Sequence, residues 1–347
     1  MASAVKYKFV HHLKYFMEMT KKTTIIIGVV CLMLIVAVVF IGIKLGSSNK
    51  ESVHYPDKPM EQTSLGNSET KKLDVSRVDV PEENDLGIYA LSENLKVENM
   101  KTLASELNIS LTNSEKSSWY QWGEDSGNMI TYDLIKNIAI ISIKNGMDFN
   151  QAEVTSSTFS NLVRQFFGEE WKYTVFKTEK RSTGETMYYA KRLLDNGFPI
   201  EMREHNQQTD TIASKNGKIL FMKFMLTEFT KTDTVVPLIN VSELLDYVNV
   251  KEYPKEIYPS LNTLQGNVLS DVNYLSDEFI DVAQTADNCK GSSSEIVYLY
   301  TSMKQKTLIP VYKIDAECSV KYKDEEYFVP AIAYVNAIDP KYISDSK

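Results

Sequence analysis

The sequence predicts an α+β fold: antiparallel sheets with short helices packed on one face, behind a single N-terminal transmembrane helix. Three observations predict it. Thr23–Ile43 runs 21 residues without a formal charge, and at about 1.5 Å per helical residue it spans roughly 32 Å, close to the thickness of a bilayer's hydrocarbon core. Beyond it, segments of helical period recur. Each is followed by several strands joined through tight turns, whereas a parallel doubly wound sheet alternates helices with single strands.

The flanks of the span set its expected orientation. Lys6, Lys8, Lys14, Lys21 and Lys22 precede it against Glu18 alone, and Lys44 follows. Basic flanks stay inside, so the chain reads as a single-pass cell-membrane protein with a cytoplasmic N-terminus and an extracytoplasmic C-terminal domain. Residues 1–22 form a short basic cytoplasmic segment. Its Val5, Phe9, Leu13, Phe16 and Met17 can share one helix face on the inner leaflet, while a start at Met17 or Met19 would still leave a complete anchor. The apolar run, residues 23–43, exceeds that of a secretory signal, which favours an uncleaved anchor over removal near Leu45-Gly46-Ser47-Ser48. Residues 44–84 are polar, contain Pro56, Pro59 and Pro81, and read as a flexible linker.

From Asp85 the composition is that of folded modules. In the first, residues 85–145, Met100, Leu103, Ala104 and Leu107 mark one face of a helix over about 97–108. Trp119–Trp122, Met129–Leu134 and Ile138–Ile143 then read as strands. The second module, 146–235, repeats the cycle. Asn150 with Glu153 has capping-box spacing, and Phe159, Leu162, Val163 and Phe166 mark a helix ending at Gly168. Strands follow over Trp171–Thr178, Thr186–Leu193 and Phe198–Arg203, and a hairpin turns at Lys215-Asn216-Gly217. The third stretch, 236–347, starts with Asn240 and Glu243 capping a short helix of about 241–249. It ends in an antiparallel meander of Ile296–Thr301, Leu308–Ile314 and Tyr327–Asn336.

Charge and residue counts narrow the function. Removing the five lysines and one glutamate of residues 1–22 from the chain's 38 basic and 46 acidic residues leaves a net charge of −12, which argues against nucleic acid as a partner. Past the linker the only histidine is His205, and Glu201-Met202-Arg203-Glu204-His205-Asn206 has no nucleophile motif. No HExxH, CxxC, phosphate-loop or EF-hand pattern occurs. Acidic pairs such as Glu169-Glu170 and Asp324-Glu325-Glu326 read as solvated turns. The sequence thus assigns no catalytic residue, no metal ligand and no cofactor, and the expectation is a protein that is not an enzyme.

Two groups of residues carry specific expectations. Cys289 and Cys318 flank one hairpin, fall within about three residues of register and lie in the part expected to be exported, so a disulfide between them is expected, with two buried thiols as the alternative; closing a loop of about 30 residues stabilises by roughly 3.5 kcal/mol in the chain-entropy model. Trp119, Trp122, Tyr188 and Tyr189 could form a stacking platform for a glycan or peptide. Alternation along strands would equally bury one set of them against the helices.

The Asn216-Gly217-Lys218-Ile219 hairpin, the Pro237–Glu243 entry to a short helix, and Leu308-Ile309-Pro310-Val311-Tyr312 followed by Tyr334-Val335-Asn336-Ala337-Ile338 together resemble the YycI/YycH-type extracytoplasmic regulators. The resemblance implies tandem PepSY-like modules and a non-enzymatic regulator that holds a membrane sensor kinase in check. The expected function is therefore a regulatory or adaptor protein of the cell envelope, with a membrane, a sensor kinase or another envelope protein as partner. The alternative is a tethered binding or assembly module for peptide or glycan, with an envelope hydrolase behind both.

Overall fold

The computed structural model describes residues 60–61 and 71–344, apart from several stretches of which 203–209, 250–254 and 260–278 are the longest. Thr23–Ile43, residues 1–22 and most of the expected linker lie outside the described residues. Among the described residues no helix is long and apolar enough to cross a membrane. Their helices carry only 10, 12 and 7 residues, where a span takes about 20. The single-pass membrane placement, cytoplasmic at one end and extracytoplasmic at the other, is corrected accordingly: the structure gives it no support.

The strands in chain order are β1 (Met60–Glu61), β2 (Lys72–Asp74), β3 (Asp85–Ser92), β4 (Leu111–Asn113), β5 (Trp119–Gly123), β6 (Met129–Asp133), β7 (Ile138–Asp148), β8 (Lys172–Lys180), β9 (Thr186–Leu193) and β10 (Ile200–Met202). They continue with β11 (Asp210–Lys215), β12 (Lys218–Met225), β13 (Glu228–Pro237), β14 (Lys255–Pro259), β15 (Asn288–Tyr300), β16 (Thr307–Leu308), β17 (Pro310–Tyr322), β18 (Glu325–Asn336) and β19 (Ile343–Ser344). The helices are α1 (Val97–Glu106), α2 (Ser156–Phe167) and α3 (Val241–Tyr247).

The expected α+β class is corrected to a mostly β fold. Runs of short strands with short helices packed on one face are expected, but β7, β15, β17 and β18 run 11, 13, 13 and 12 residues. In β17 the extension alternates charged or polar with buried residues, Asp315-Ala316-Glu317-Cys318-Ser319-Val320-Lys321-Tyr322, and in β15 it runs through the polar Ser292-Ser293-Ser294-Glu295. A strand needs only one buried face, so pairing continues well beyond the continuous apolar runs that marked it. The sheets are also mixed, since β10 and β2 pair with β15 in parallel and β1 pairs with β19 in parallel.

One eight-stranded antiparallel sheet has the order β4-β5-β6-β7-β12-β11-β9-β8. The strands after α1 and those after α2 meet last strand to last strand, β7 against β12. Met100, Leu103 and Ala104 of α1 and Phe159, Leu162, Val163 and Phe167 of α2 join Ile130, Ile141, Met222 and Phe224 of the sheet in one core. α2 begins at Thr155, whose N–H donates to Thr158 Oγ1 at 3.0 Å, and not at Asn150, which lies outside the described residues. It ends where expected, with Gly168 in the left-handed region at φ 74°. The outer edge strand β8 is largely exposed and is kinked by a bulge between Val175 and Lys177.

A second core lies in the sheet β10-β15-β17-β18-β14, against α3. A third sheet, β13-β3-β16, and the two-stranded sheet β1-β19 complete the described fold. Asn240 caps α3 as its spacing with Glu243 predicts, accepting the Glu243 N–H at 2.9 Å. Asn240→Ala leaves that donor without its side-chain acceptor, and chemical denaturation should register a loss of about 1 kcal/mol. Residues 71–79, placed in the expected flexible linker, instead carry β2 and bury Leu73, Val75 and Val78 in the second core.

Candidate functional site

The four aromatics expected to stack do not form one platform. The strand register puts Trp122 in a row across the helix-covered face: Trp122, Ile130, Ile141, Met222, Ile212, Tyr188. Trp122 and Tyr188 therefore share a face but stand five strand spacings apart, about 24 Å. Trp122 stacks instead on Tyr120, with ring centroids 5.6 Å apart. Trp119 and Tyr189 point to the opposite face, where the Tyr189 hydroxyl donates to Glu179 at 2.8 Å and Lys177 lies 5.4 Å from its ring. Cys289 and Cys318 are directly opposed on β15 and β17 and joined by a disulfide. His205 lies outside the described residues.

What the structure does bring together is a cleft of about 460 Å³ where the end of α2, β9, β13 and β3 converge, lined by Tyr89, Glu169, Trp171, Arg192, Glu228 and Phe229 among others. Its base is built by strand alternation. On β9, Ala190 and Arg192 point to the helix-covered face, so an arginine occupies a core position beside Tyr173, its partner on β8. The Arg192 guanidinium sits 3.5 Å from the Trp171 ring and 4.9 Å from the Phe229 ring, and Nη1 donates to the Thr227 carbonyl at 2.6 Å. Cation–π contacts of a desolvated arginine contribute about 2 kcal/mol. Burial pushes Arg192 down to about 10, so it is charged at neutral pH.

Its counter-charge is Asp210, at the head of β11. The carboxylate accepts the Met225 N–H at 2.7 Å. Burial pushes it up to about 6, against that hydrogen bond and the attraction of Arg192. Tyr173, buried beside it, is raised well above an ordinary phenol, chiefly by desolvation. On the rim, Lys96 reaches Glu169 at 2.6 Å and pairs with Glu228. Burial opposes the Lys96 charge, but the two carboxylates outweigh it and hold the amine above its ordinary range. The Tyr89 hydroxyl hydrogen-bonds Asp195 on the far wall. A second ionic cluster ties β9 to the second sheet, with Glu201 2.7 Å from Lys191 and 3.4 Å from Lys313.

Glu169 therefore serves an ion pair. Asp324 sits in the β17–β18 turn at φ 66°, and Glu325 accepts the Tyr327 hydroxyl at 2.7 Å. Arg192, Asp210 and Phe229 were not singled out by sequence reasoning. The available signal was a charge at an inward position of an alternating strand, Met187-Tyr188-Tyr189-Ala190-Lys191-Arg192, because such a residue is rarely buried without partners. Chemically, the cleft offers aromatic faces over a fixed cation, with exposed Lys231 and Thr230 at its mouth. Residues of this kind dominate the energetics of protein contacts.

No family model and no curated protein matches the chain. Among solved structures it is similar to an uncharacterized protein from Eubacterium rectale ATCC 33656, at 13% identity and a TM-score of 0.41 over 77% of this chain and 88% of that one. It is also similar to the Bacillus megaterium YpeB C-terminal domain, at 9% identity and a TM-score of 0.24 over 68% of this chain and 99% of that one. At these TM-scores neither likeness carries an argument about this chain.

Proposed function

We propose that this protein is a non-enzymatic regulator or adaptor that works through protein–protein contacts, and that the Arg192 cleft is its contact site. The observation that supports this reading is the guanidinium of Arg192 fixed between the Trp171 and Phe229 rings. A preordered aromatic–arginine surface loses little conformational entropy when a partner docks on it. The charged groups around it are engaged with fixed neighbours: Lys96 with two glutamates, Arg192 with the Thr227 carbonyl, Asp210 with the Met225 amide. They hold a shape. The finer family reading, a YycI/YycH-type regulator of tandem PepSY-like modules, belongs to this proposal, with a sensor histidine kinase or another envelope protein as the partner.

Site-directed photocrosslinking in cells tests it. With the photoreactive group at position 231, at the mouth of the cleft, the expected result is one defined protein adduct whose yield falls at least tenfold with Phe229→Ala. The same group at the exposed position 321 should not give that adduct. Identical adducts from both positions, unaffected by Phe229→Ala in a chain of native circular dichroism, would discard the cleft as the contact site.

A further inference from the structure

Residues 71–79, Lys-Lys-Leu-Asp-Val-Ser-Arg-Val-Asp, bind the second sheet as a peptide ligand would. β2 adds to β15 in parallel through three register pairs, Lys72 with Asn288, Leu73 with Cys289 and Asp74 with Lys290. Among the described residues its other edge meets no strand. There the Asn249 side chain, just past α3, takes the place of one: Oδ1 accepts the Leu73 N–H at 3.0 Å and Nδ2 donates to the Leu73 carbonyl at 3.1 Å. A side-chain amide satisfying both backbone groups of one residue reproduces the pairing that an extended peptide receives in strand addition.

Side chains supply the specificity. Leu73, Val75 and Val78 are 0%, 3% and 5% exposed, while Lys72, Asp74, Ser76, Arg77 and Asp79 between them face outward. Val78 enters a pocket that exists only because residue 291 is glycine. A Cβ there would lie 2.6 Å from Val78 Cγ2 and 2.9 Å from Ile314 Cγ2, and the β15–β17 ladder shifts register at this point, between Gly291 and Ser293. Ser294 Oγ donates to the Asp79 carbonyl at 2.6 Å and Lys71 Nζ to the Ile257 carbonyl at 3.2 Å, fixing the two ends. A cleft of about 770 Å³ runs alongside, lined by Leu245, Val248, Asn249 and Phe328; Leu245 and Phe328 are exposed.

We infer that this groove, between β15 and Asn249, is a peptide-binding site of the strand-addition type. It takes an extended peptide with apolar residues at positions i, i+2 and i+5, and the chain's own residues 71–79 occupy it in cis. A three-pair parallel strand is a weak attachment compared with the twelve-pair β17–β18 ladder. Its tenancy depends on the high effective concentration of a tethered segment, in the millimolar range for short linkers. A competing segment of the same pattern can displace it and free the preceding chain. This site shares no residue with the Arg192 cleft and stands or falls separately from it.

The test uses the full chain and a fluorescein-labelled peptide of sequence 71–79. Leu73→Asp with Val78→Asp empties the groove, and this variant should bind the peptide in fluorescence anisotropy at least 100-fold more tightly than the wild-type chain. Adding Gly291→Val should abolish that binding. A folded double variant, disulfide intact, that ignores the peptide overturns the proposal, as does equal binding of a scrambled peptide. Should the double variant not fold, hydrogen exchange on the wild-type chain decides. The Leu73 amide should exchange at least 100-fold faster than the β17–β18 ladder, and faster again in Asn249→Ala. Exchange of Leu73 only at the rate of that ladder overturns the detachable strand.

Discussion

Replacing Cys289 and Cys318 together by serine lowers the free energy of unfolding by about 3.5 kcal/mol. The two residues are register partners on adjacent antiparallel strands and are separated by 29 residues in sequence. The bridge acts mainly on the unfolded chain, where it removes the entropy of an open loop. Both cysteines are also buried, at 2% and 0% exposure, within the apolar core that includes Leu244 and Val248, so each serine adds a hydroxyl to an apolar site. The change is read as a lower urea midpoint with an m-value that rises, because an unbridged chain exposes more surface on unfolding. A midpoint unmoved by the double substitution would show that the hairpin's unfolded ensemble is already closed without the bridge.

Asp210→Asn stabilises the protein at neutral pH. The Asp210 carboxyl titrates at about 6 in the folded chain because it is buried, against about 3.9 when unfolded. The folded state thus holds the proton more tightly, so this group favours folding most below about pH 4 and loses that advantage as pH rises through 6, roughly 3 kcal/mol in all. Asparagine has no such titration, yet its oxygen can still accept the Met225 N–H that Asp210 holds at 2.7 Å. Paired urea titrations at pH 4, 5, 6 and 7 should show the two proteins nearly equal at the acid end and the variant ahead by about 3 kcal/mol at pH 7. Differencing cancels the other carboxylates. A difference that stays flat across the series means that Arg192 keeps Asp210 ionised throughout.

Local order was legible in the sequence wherever one chemical rule decides it. The i, i+3, i+4 apolar spacing gave α1 and α2, Gly168 ended the latter at its left-handed C-cap, and Asn216 and Gly217, at φ 51° and 72°, form the hairpin turn expected of Asn-Gly. Asn240 is the cap its position indicated. What escaped depends on pairing between distant segments. Nothing within residues 71–79 says that Asn249, 176 positions on, will hold Leu73. An isolated Lys-Leu-Asp-Val reads as linker because its outward residues are charged. The fold class went astray for the same reason: strands such as β15 and β17 lengthen by pairing with each other, which their own composition does not announce. In the site, Trp122 and Tyr188 looked alike from sequence, and only register shows them on one face yet far apart. Arg192 was hidden among basic residues that are elsewhere exposed.

The bulged edge strand β8 has a consequence for how the protein behaves at high concentration. An exposed strand of nine residues on the rim of an eight-stranded sheet is a template on which another chain could build. Here the template is spoiled along its length. Lys172 and Lys180 place charges near its two ends, Lys177 is held by Glu179 at 2.7 Å, and the kink after Val175 breaks the straight line of amides that cross-β stacking needs. The opposite rim, β4, offers only three residues. Both rims are thus poor templates for edge-to-edge addition of a second copy, and the charge and irregularity that guard them lie outside the core.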